Sequence, residues 1–347
     1  MTKNHYSQIQ TIKNVKSFGL LPGGKEVMCC ILNNTNGYEL SIINYGATIT
    51  SLKIPLRNKI VDVVLGFDTL EEYIASYDLP SPPYLGTAIG RFAGRINNAE
   101  FSLNGKRIIL NKNHGEHQLH GGILGFGRKL WRVVSSSSGE NPSITLEYIS
   151  KDHEENFPGE LAVQVTYTLT EENTLKVKFT ARSDEDTIVN LTQHSYFNLD
   201  GHAGDITNQK VAINATKILE TTSDLIPTGK FAKLNNHEFD FSTAENCPTL
   251  IDTTFVLEDG NAATLFSEKN KLKMTVITNQ PAVHVYVGGN CFGQIKGKAN
   301  TDYHAKSGIC FETQNFPDAP NHSHFPSSIL KKGYEYNHQT TFKFESI

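Results

Sequence analysis

A short segment near the carboxyl end of the chain places an acidic residue among apolar ones. Apolar and polar residues alternate over positions 308–318, which predicts a β-strand that ends in a proline turn. This period places Cys310, Glu312 and Gln314 on one face of the strand. A glutamate on an inward strand face costs free energy unless its carboxylate is paired or used in chemistry. Two interpretations stay open: Glu312 is a general base for a hydroxyl proton, or it forms a buried ion pair with an arginine such as Arg95.

A second segment, residues 190–199, supplies a partner for that chemistry. A period of two places Asn190, Thr192, His194 and Tyr196 on one face, and a solvated face would carry more lysine and glutamate. The pattern therefore favours the polar floor of a pocket. His194 has the side chain best suited to proton transfer near neutral pH. A histidine and a glutamate together indicate acid–base chemistry without a covalent step, and the chain has no nucleophile elbow, phosphate loop or dinucleotide fingerprint. We expect no cofactor.

Two further segments carry polar side chains beside glycines. Arg91 and Arg95 lie four residues apart and could approach an oxygen-rich ligand, although the spacing alone favours surface ion pairs. Three histidines lie within residues 114–122, but they lack the helical spacing of a metal site and the glycines indicate a loop. We expect no metal site. The spacing leaves a structural and a functional role for His120 equally open.

Composition limits the class of protein. The chain has 347 residues, of which 38% are hydrophobic and 20% charged, as in ordinary globular proteins. Its net charge of −4 predicts neither a nucleic-acid partner nor a membrane-surface partner. The first residues lack the apolar core of a secretion signal, and no apolar run reaches membrane-spanning length. The five cysteines show no metal or disulfide spacing, which predicts reduced thiols in a cytoplasmic protein.

The elements that must position these side chains are mostly strands. Alternation predicts a hairpin over residues 163–182, and Asn104-Gly105 is a strong signal for another hairpin. Further strands are predicted around residues 144–148, 272–276, 283–287 and 342–344. One short helix is predicted over residues 68–74, with Asp68 as its N-cap and Glu71 completing a capping box. We therefore expect an all-β fold with few short helices: a single large antiparallel β-sandwich domain over residues 1–347, with two tandem sandwiches as the alternative.

Taken together, these segments resemble the galactose mutarotase (aldose 1-epimerase) family. The resemblance covers nearly the whole chain in order, and its last two motifs are long and specific. It rests on residues 44–47, 64–68, 90–96, 119–122, 192–199 and 311–318. It implies a single antiparallel β-sandwich with a sugar pocket on one sheet face. It also implies interconversion of the α and β anomers of a free hexose, galactose or glucose, without a cofactor.

The resemblance also implies roles for individual residues. Glu312 takes the proton of the anomeric hydroxyl as general base, and His194 gives a proton to the ring oxygen as general acid. His120 assists catalysis and holds the sugar. The remaining sugar-binding residues implied by the resemblance are Gly94, Arg95, Tyr196, Asp252 and His284.

Four positions depart from the family pattern. The family commonly has histidine and asparagine where this chain has Thr253 and Thr254, glutamine where it has His284, and asparagine where it has Gly94. These positions fall in or near the implied pocket, so they bear on which sugar is preferred.

Three alternatives to a mutarotase of a neutral hexose remain. A mutarotase of a phosphorylated aldose would need more basic residues than Arg91 and Arg95 provide. A non-catalytic carbohydrate-binding sandwich would not need a matched acid and base. A metal-dependent β-barrel enzyme is suggested only by the thirteen histidines. The expected partner is a sugar, and one self-contained sandwich favours a monomer or a weak homodimer.

Overall fold

The computed structural model describes residues 15–289 and 291–347, which form antiparallel strands with little helix. The strands before residue 120 are β1 (Val15–Leu20), β2 (Glu26–Asn33), β3 (Glu39–Ile43), β4 (Thr48–Leu56), β5 (Lys59–Asp62), β6 (Ala88–Ile89), β7 (Arg95–Ile96), β8 (Glu100–Leu103), β9 (Lys106–Ile109) and β10 (Gln118–Leu119). The next are β11 (Arg132–Ser137), β12 (Ser143–Ser150), β13 (Leu161–Leu169), β14 (Thr174–Ser183), β15 (Thr187–Ile188), β16 (Thr192–Gln193), β17 (Tyr196–Phe197), β18 (Lys210–Ile213), β19 (Ala215–Thr221) and β20 (Pro227–Lys233). The last are β21 (Glu245–Asn246), β22 (Ile251–Leu257), β23 (Asn261–Ser267), β24 (Leu272–Thr278), β25 (Ala282–Val287), β26 (Ile309–Gln314), β27 (Ile329–Leu330) and β28 (Tyr336–Ser346).

Helical structure in these residues is short. The α-helix, α1, spans Leu70–Ser76. Single 3-10 turns lie at Asn97–Ala99, Phe126–Arg128, Glu154–Asn156, Lys298–Asn300 and Ala319–Asn321. The expectation of an all-β fold with few short helices is therefore confirmed.

Three larger sheets build the sandwich. A nine-stranded sheet has the order β11-β12-β13-β14-β28-β24-β23-β18-β21, a six-stranded sheet has the order β17-β26-β25-β22-β19-β20, and a five-stranded sheet runs from β1 to β5. One core cluster contains Val177 of the nine-stranded sheet, Phe311 of the six-stranded sheet and Leu52 of the five-stranded sheet. The rings of Phe197 and Phe342 join the first two sheets at 4.9 Å. Alternate strand residues thus fill the space between the sheets, which leaves the other face of the six-stranded sheet for a site.

The strands predicted from the sequence are present. β13 pairs with β14 in the predicted hairpin, and β8 pairs with β9 around Asn104 and Gly105. The two turn residues have φ values of 51° and 75°, the left-handed conformation that a two-residue hairpin turn requires. Local alternation and turn chemistry were therefore sufficient to predict these elements.

The predicted start of the helix is wrong by one residue. Thr69 is the N-cap, its hydroxyl accepts from the backbone N–H of Glu72, and the Glu72 carboxylate accepts from the N–H of Thr69. Asp68 instead accepts a hydrogen bond of 2.8 Å from the N–H of Ala299. The sequence allows a capping box at either register, and the observed register buries Leu70 and Tyr73.

The five cysteines are all buried and have free thiols in this structure. Within residues 15–289 and 291–347, no helix has the length and apolar character needed to cross a membrane.

Arg91 is a structural residue and does not reach a ligand cavity. The residue is 2% exposed, and its guanidinium donates to the carbonyl oxygens of Pro158 and Gly159 at 3.0 and 2.9 Å. It also donates to the hydroxyl of Ser150 at 2.7 Å. Burial lowers its pKa to about 10, so the group stays charged at neutral pH. Arg91 therefore ties the loop that begins at β6 to the end of β12.

We predict that Arg91→Met lowers the free energy of unfolding by about 3 kcal/mol, because it leaves several buried carbonyl oxygens without a donor. Denaturant unfolding followed by circular dichroism measures the change. The matched control is Arg107→Met, which breaks an exposed ion pair with Glu100 and should cost less than about 1 kcal/mol. Equal losses in the two variants would contradict the structural role of Arg91.

Candidate active site

The residues proposed from the sequence to bind or transform a ligand converge on one cavity. The cavity has a volume of about 360 Å³ and lies on the face of the six-stranded sheet opposite the core. All eight line it: Gly94, Arg95, His120, His194, Tyr196, Asp252, His284 and Glu312. The structure therefore brings together residues that are up to 218 positions apart in the sequence (312 minus 94).

Three adjacent strands form the floor of the cavity. On β25, His284 lies opposite Glu312 of β26 and opposite Thr254 of β22. The next row on the same face places Tyr286 opposite both Cys310 and Asp252. Because side chains alternate between faces, residues two apart on each strand point to the cavity side of the sheet. β26 is buried along its whole length, with Phe311 in the core and Glu312 towards the cavity.

The central contact of the cavity joins His194 and Glu312. Nε2 of His194 lies 3.3 Å from Oε1 of Glu312, and the two side chains are 5% and 2% exposed. The backbone of His194 is fixed from both sides, since its N–H donates to Thr87 and its carbonyl oxygen accepts from Gly86, both at 2.9 Å. Burial lowers the pKa of His194, and the nearby charge of Glu312 opposes that shift. A proton can therefore be shared between two rigidly held groups.

Cys310 lies on the other side of the His194 ring. Its sulfur is 3.5 Å from Nδ1 of His194. Burial raises the pKa of the Cys310 thiol well above its usual range, so the sulfur keeps its proton. The thiol can donate to Nδ1 of a neutral His194 ring, and its sulfur can accept from Nδ1–H of the imidazolium. In both states Nε2, the atom that faces Glu312, carries a hydrogen.

His120 is held by the loop that carries Gly94. The N–H of Gly94 donates to Nδ1 of His120 at 3.3 Å, and the N–H of His120 donates to the carbonyl oxygen of Gly94 at 3.1 Å. Burial and the charges of His194 and Arg95 lower the pKa of His120 well below its usual range. A neutral ring that accepts at Nδ1 carries its hydrogen at Nε2 and can donate it to a ligand. Gly94 thus supports His120 through its backbone.

A second charged group occupies the side of the cavity formed by β22. Arg95 lies 3.5 Å from Asp252, and Nε2 of His284 lies 2.9 Å from the other carboxylate oxygen. Burial would raise the pKa of Asp252, but the His284 hydrogen bond and the charges of His284 and Arg95 hold it well below its usual range. Burial would lower the pKa of His284, and Asp252 raises it instead. Asp252 is therefore ionised across the neutral range.

Three polar atoms of the cavity residues lack a hydrogen-bond partner in the described part of the chain. They are Oε2 of Glu312, Oε1 of Gln314 and Nε of Arg95. Buried polar atoms are normally satisfied, so this set favours a ligand rich in donors and acceptors, such as a polyhydroxylated molecule.

Two expectations about the polar segments need correction. Asn190 and Thr192 do not line the cavity: Asn190 donates to the carbonyl oxygens of Ala93 and Asn315, and Thr192 donates to that of Thr313. The strand breaks between β16 and β17, so one face does not continue through residues 190–196. These two side chains support the floor of the cavity from behind.

The interpretation that Glu312 forms an ion pair with Arg95 is wrong. Arg95 pairs with Asp252, and Glu312 contacts His194. Gln314 lines the cavity, but no hydrogen bond between Gln314 and Glu312 is found in the described residues. His194 is therefore the polar neighbour that contacts the carboxylate of Glu312.

Three aromatic residues of the cavity were missed: Tyr77, Tyr84 and Tyr286. Tyr84 packs with its ring 5.0 Å from that of His120, and Tyr286 lies on the cavity face of β25. The position of Tyr286, two residues after His284, was a signal that could have identified it. Tyr84 lies in a loop outside any periodic segment, so the sequence pattern held no such signal.

His120, His194 and Glu312 also have the spacing of a possible metal site. One potential ligand atom from each lies within 4.8 Å of the others. A ligand hydroxyl between the same three side chains would meet one carboxylate and two imidazoles, which is also the set required for proton transfer.

Comparison with known proteins gives a consistent result. A family model described as Aldose 1-epimerase matches residues 28–343. The chain is 38% identical over 341 residues to a galactose mutarotase of Sus scrofa, covering 94% of this chain and 97% of the relative. It is 34% identical over 344 residues to an aldose 1-epimerase of Haemophilus influenzae, covering 93% and 97%.

A solved structure has the same architecture. An aldose epimerase homologue from C. elegans superimposes with a TM-score of 0.85 at 27% sequence identity, covering 92% of this chain and 99% of that one. The likeness in sequence and in structure thus extends over almost the entire length of both chains.

Proposed function

This chain belongs to the aldose 1-epimerase family and is an isomerase, and we propose that it interconverts the anomers of galactose, glucose or both through Glu312 and His194. The observation that carries the assignment of roles is the 3.3 Å contact between Nε2 of His194 and Oε1 of Glu312 inside the cavity. The anomeric hydroxyl and the ring oxygen of a hexose share one carbon atom. A base and an acid that serve these two oxygens must therefore lie close together.

The reaction begins with removal of a proton. Glu312 takes the proton of the anomeric hydroxyl, while His194 in its imidazolium form delivers the proton on Nε2 to the ring oxygen. The electrons of the O–H bond form the carbonyl double bond, and the bond between C1 and the ring oxygen breaks. The product is the open-chain aldehyde, with Glu312 protonated and His194 neutral.

The second half reverses the roles. Rotation about the C1–C2 bond presents the other face of the aldehyde to the oxygen on C5. His194 removes the proton of that hydroxyl, the ring closes, and Glu312 returns its proton to the carbonyl oxygen. The pair recovers its original protonation, and the anomeric configuration is inverted. Each group contributes a rate factor of about 10²–10⁴.

The other cavity residues hold the sugar and stabilise charge. His120 donates from Nε2 near the reacting oxygens, and Arg95 places a positive charge at the same end of the cavity. Asp252 and His284 present a carboxylate and an imidazole to sugar hydroxyls. Tyr196 packs its ring 5.2 Å from that of His194 and bounds the cavity beside the acid.

We predict that the enzyme accelerates mutarotation of both α-galactose and α-glucose and acts on glucose 6-phosphate with a kcat/KM lower by about tenfold or more. The cations of the cavity are already engaged, since Arg95 pairs with Asp252 and Arg128 lies over the ring of Tyr77 at 5.1 Å. A phosphate would have to compete with Asp252 for Arg95, and the carboxylates of Asp252 and Glu312 in the same cavity would repel it. Initial rates by polarimetry, with xylose and arabinose in the same panel, measure the preference.

The same panel tests the alternative of a non-catalytic sugar-binding sandwich. That alternative predicts calorimetric binding of galactose with mutarotation no faster than in buffer. A faster rate on glucose 6-phosphate than on glucose would instead assign a phosphorylated substrate.

We further propose that the protein works in the cytoplasm as a monomer or a weak homodimer. The five buried free thiols support a reducing compartment. The eight proposed site residues all come from one chain, so the chemistry needs no contribution from a second copy.

A further inference from the structure

Thr254 and His284, two positions that depart from the family pattern, form a connected set of side chains with Asp252. The hydroxyl of Thr254 lies 2.8 Å from Nδ1 of His284. Nε2 of the same ring lies 2.9 Å from Oδ1 of Asp252, and Oδ2 of Asp252 lies 3.5 Å from Arg95. Both nitrogens of His284 are thus engaged, and the ring is fixed at two points.

The strand register produces this arrangement. Thr254 of β22 lies directly opposite His284 of β25, and Asp252 lies two residues earlier on the same face of β22. His284 therefore contacts one residue across the ladder and the other along the diagonal. Thr253 lies between them on the opposite face, and it does not line the cavity.

Thr254 itself does not reach the cavity. It is 5% exposed and is absent from the cavity lining, whereas His284 and Asp252 both belong to that lining. Any effect of Thr254 on a bound sugar must therefore act through the imidazole.

A hydroxyl suits this position in either charge state of the ring. It accepts from the Nδ1–H of an imidazolium, and it donates to the bare Nδ1 of a neutral imidazole. In both states the hydrogen on Nε2 stays directed at Asp252. The charged or titratable side chains around His284 are Asp252, Glu312, Arg95, His120 and His194, and the first of these dominates the rise in its pKa.

We propose that Thr254 is a positioning residue: through His284 it holds the carboxylate of Asp252 in the orientation that receives a sugar hydroxyl, and it thereby sets the affinity for the sugar. This inference rests on the proposed function, because it assigns Asp252 and His284 to sugar binding. His284 lies opposite Glu312, but in the described residues no hydrogen bond joins it to Glu312 or to His194. The change therefore concerns KM and leaves kcat nearly unchanged.

The test compares three single variants of the full chain. Thr254→Val removes the hydroxyl and keeps the shape, and Thr254→Ser keeps the hydroxyl. Thr253→Val makes the same chemical change one residue away on the opposite face of β22. Polarimetry gives KM and kcat for α-galactose and α-glucose, and titration calorimetry gives the Kd for galactose.

We expect Thr254→Val to raise KM and Kd by about tenfold, with kcat within about threefold of the wild-type value. Thr254→Ser and Thr253→Val should retain the wild-type KM. A threonine that only stabilises the fold would lower the melting temperature without this separation of KM from kcat. If Thr254→Val does not fold, Thr254→Ala replaces it in the same comparison.

Wild-type KM and Kd in Thr254→Val, or an equal rise in Thr253→Val, would overturn the inference. Measuring both KM and Kd also allows the role of Thr254 to be tested independently of the proposed function. Galactose binding without mutarotation would remove the proposed function, and the ratio of Kd values would still decide the role of Thr254. Absence of galactose binding and of activity in the wild-type protein would overturn both.

Discussion

Glu312→Gln should reduce kcat for mutarotation by about 10²–10⁴-fold with the fold intact. The amide has nearly the shape of the carboxylate, but it cannot take the proton of the anomeric hydroxyl. Glu312 is 2% exposed and its carboxylate contacts His194, so no solvent-held base can easily occupy its place. KM should change much less than kcat, because the lost interaction belongs to the transition state.

Polarimetric initial rates measure this loss, and circular dichroism confirms that the variant is folded. The matched control is Glu335→Gln, an exposed glutamate that pairs with Arg182 on the nine-stranded sheet side of the molecule. That control should keep the wild-type kcat. A wild-type kcat in Glu312→Gln would show that another group removes the proton.

His194→Gln should reduce kcat to a similar extent, because glutamine can donate a hydrogen bond to the ring oxygen but cannot transfer a proton to it. The ring opening would then release an alkoxide instead of a hydroxyl. The sugar-binding residues Arg95, Asp252 and His284 are unchanged in this variant, so the sugar should still bind. His153→Gln is the matched control, since His153 is 76% exposed and lies outside the cavity.

The pH dependence of kcat/KM provides a second test of the role of His194. Burial lowers the pKa of His194, so in the free enzyme its protonated form is lost as the pH rises through a value below the usual one. Where the protonated imidazole limits the reaction, kcat/KM falls on the alkaline side of that value. His194→Gln should remove this alkaline fall along with most of the activity. A variant that keeps both the rate and the fall would assign the acid to another residue.

The strand elements of the site could be predicted because alternation and turns are local properties. β26 (Ile309–Gln314) lies within the segment where a strand was predicted, and Glu312 faces the cavity as the period of two requires. The prediction that Asn190 and Thr192 line the cavity was wrong for a related reason. A period of two holds only while a strand continues, and the chain leaves the strand between β16 and β17. Their hydrogen bonds go to the carbonyl oxygens of distant segments, which no local pattern reports.

Arg91 and Arg95 illustrate what spacing cannot decide. The two arginines lie four residues apart, yet Arg91 is buried among carbonyl oxygens and Arg95 reaches the cavity. Their separation follows from the pairing of β7 with β10, which directs Arg95 toward the loop of His120. Whether an arginine in this segment has a structural role or a binding role is therefore determined by residues far away in the sequence.

Only the structure distinguishes the two threonines that depart from the family pattern. Thr253 and Thr254 are identical in type and adjacent, but the pleat of β22 directs Thr254 towards His284 and Thr253 away from it.

We also propose that the chain forms one domain, since a single core cluster includes both Cys30 and Phe344. Tandem sandwiches would instead each enclose their own core.

The central claim is that Glu312 and His194 act as one acid–base couple. Anomer exchange at equilibrium, followed by nuclear magnetic resonance in the wild type, both single variants and the double variant, tests this most directly. We predict rapid exchange in the wild type and a similar large loss in all three variants, because either change disables the same couple. A double variant whose loss equals the product of the two single losses would show independent action and would contradict the account.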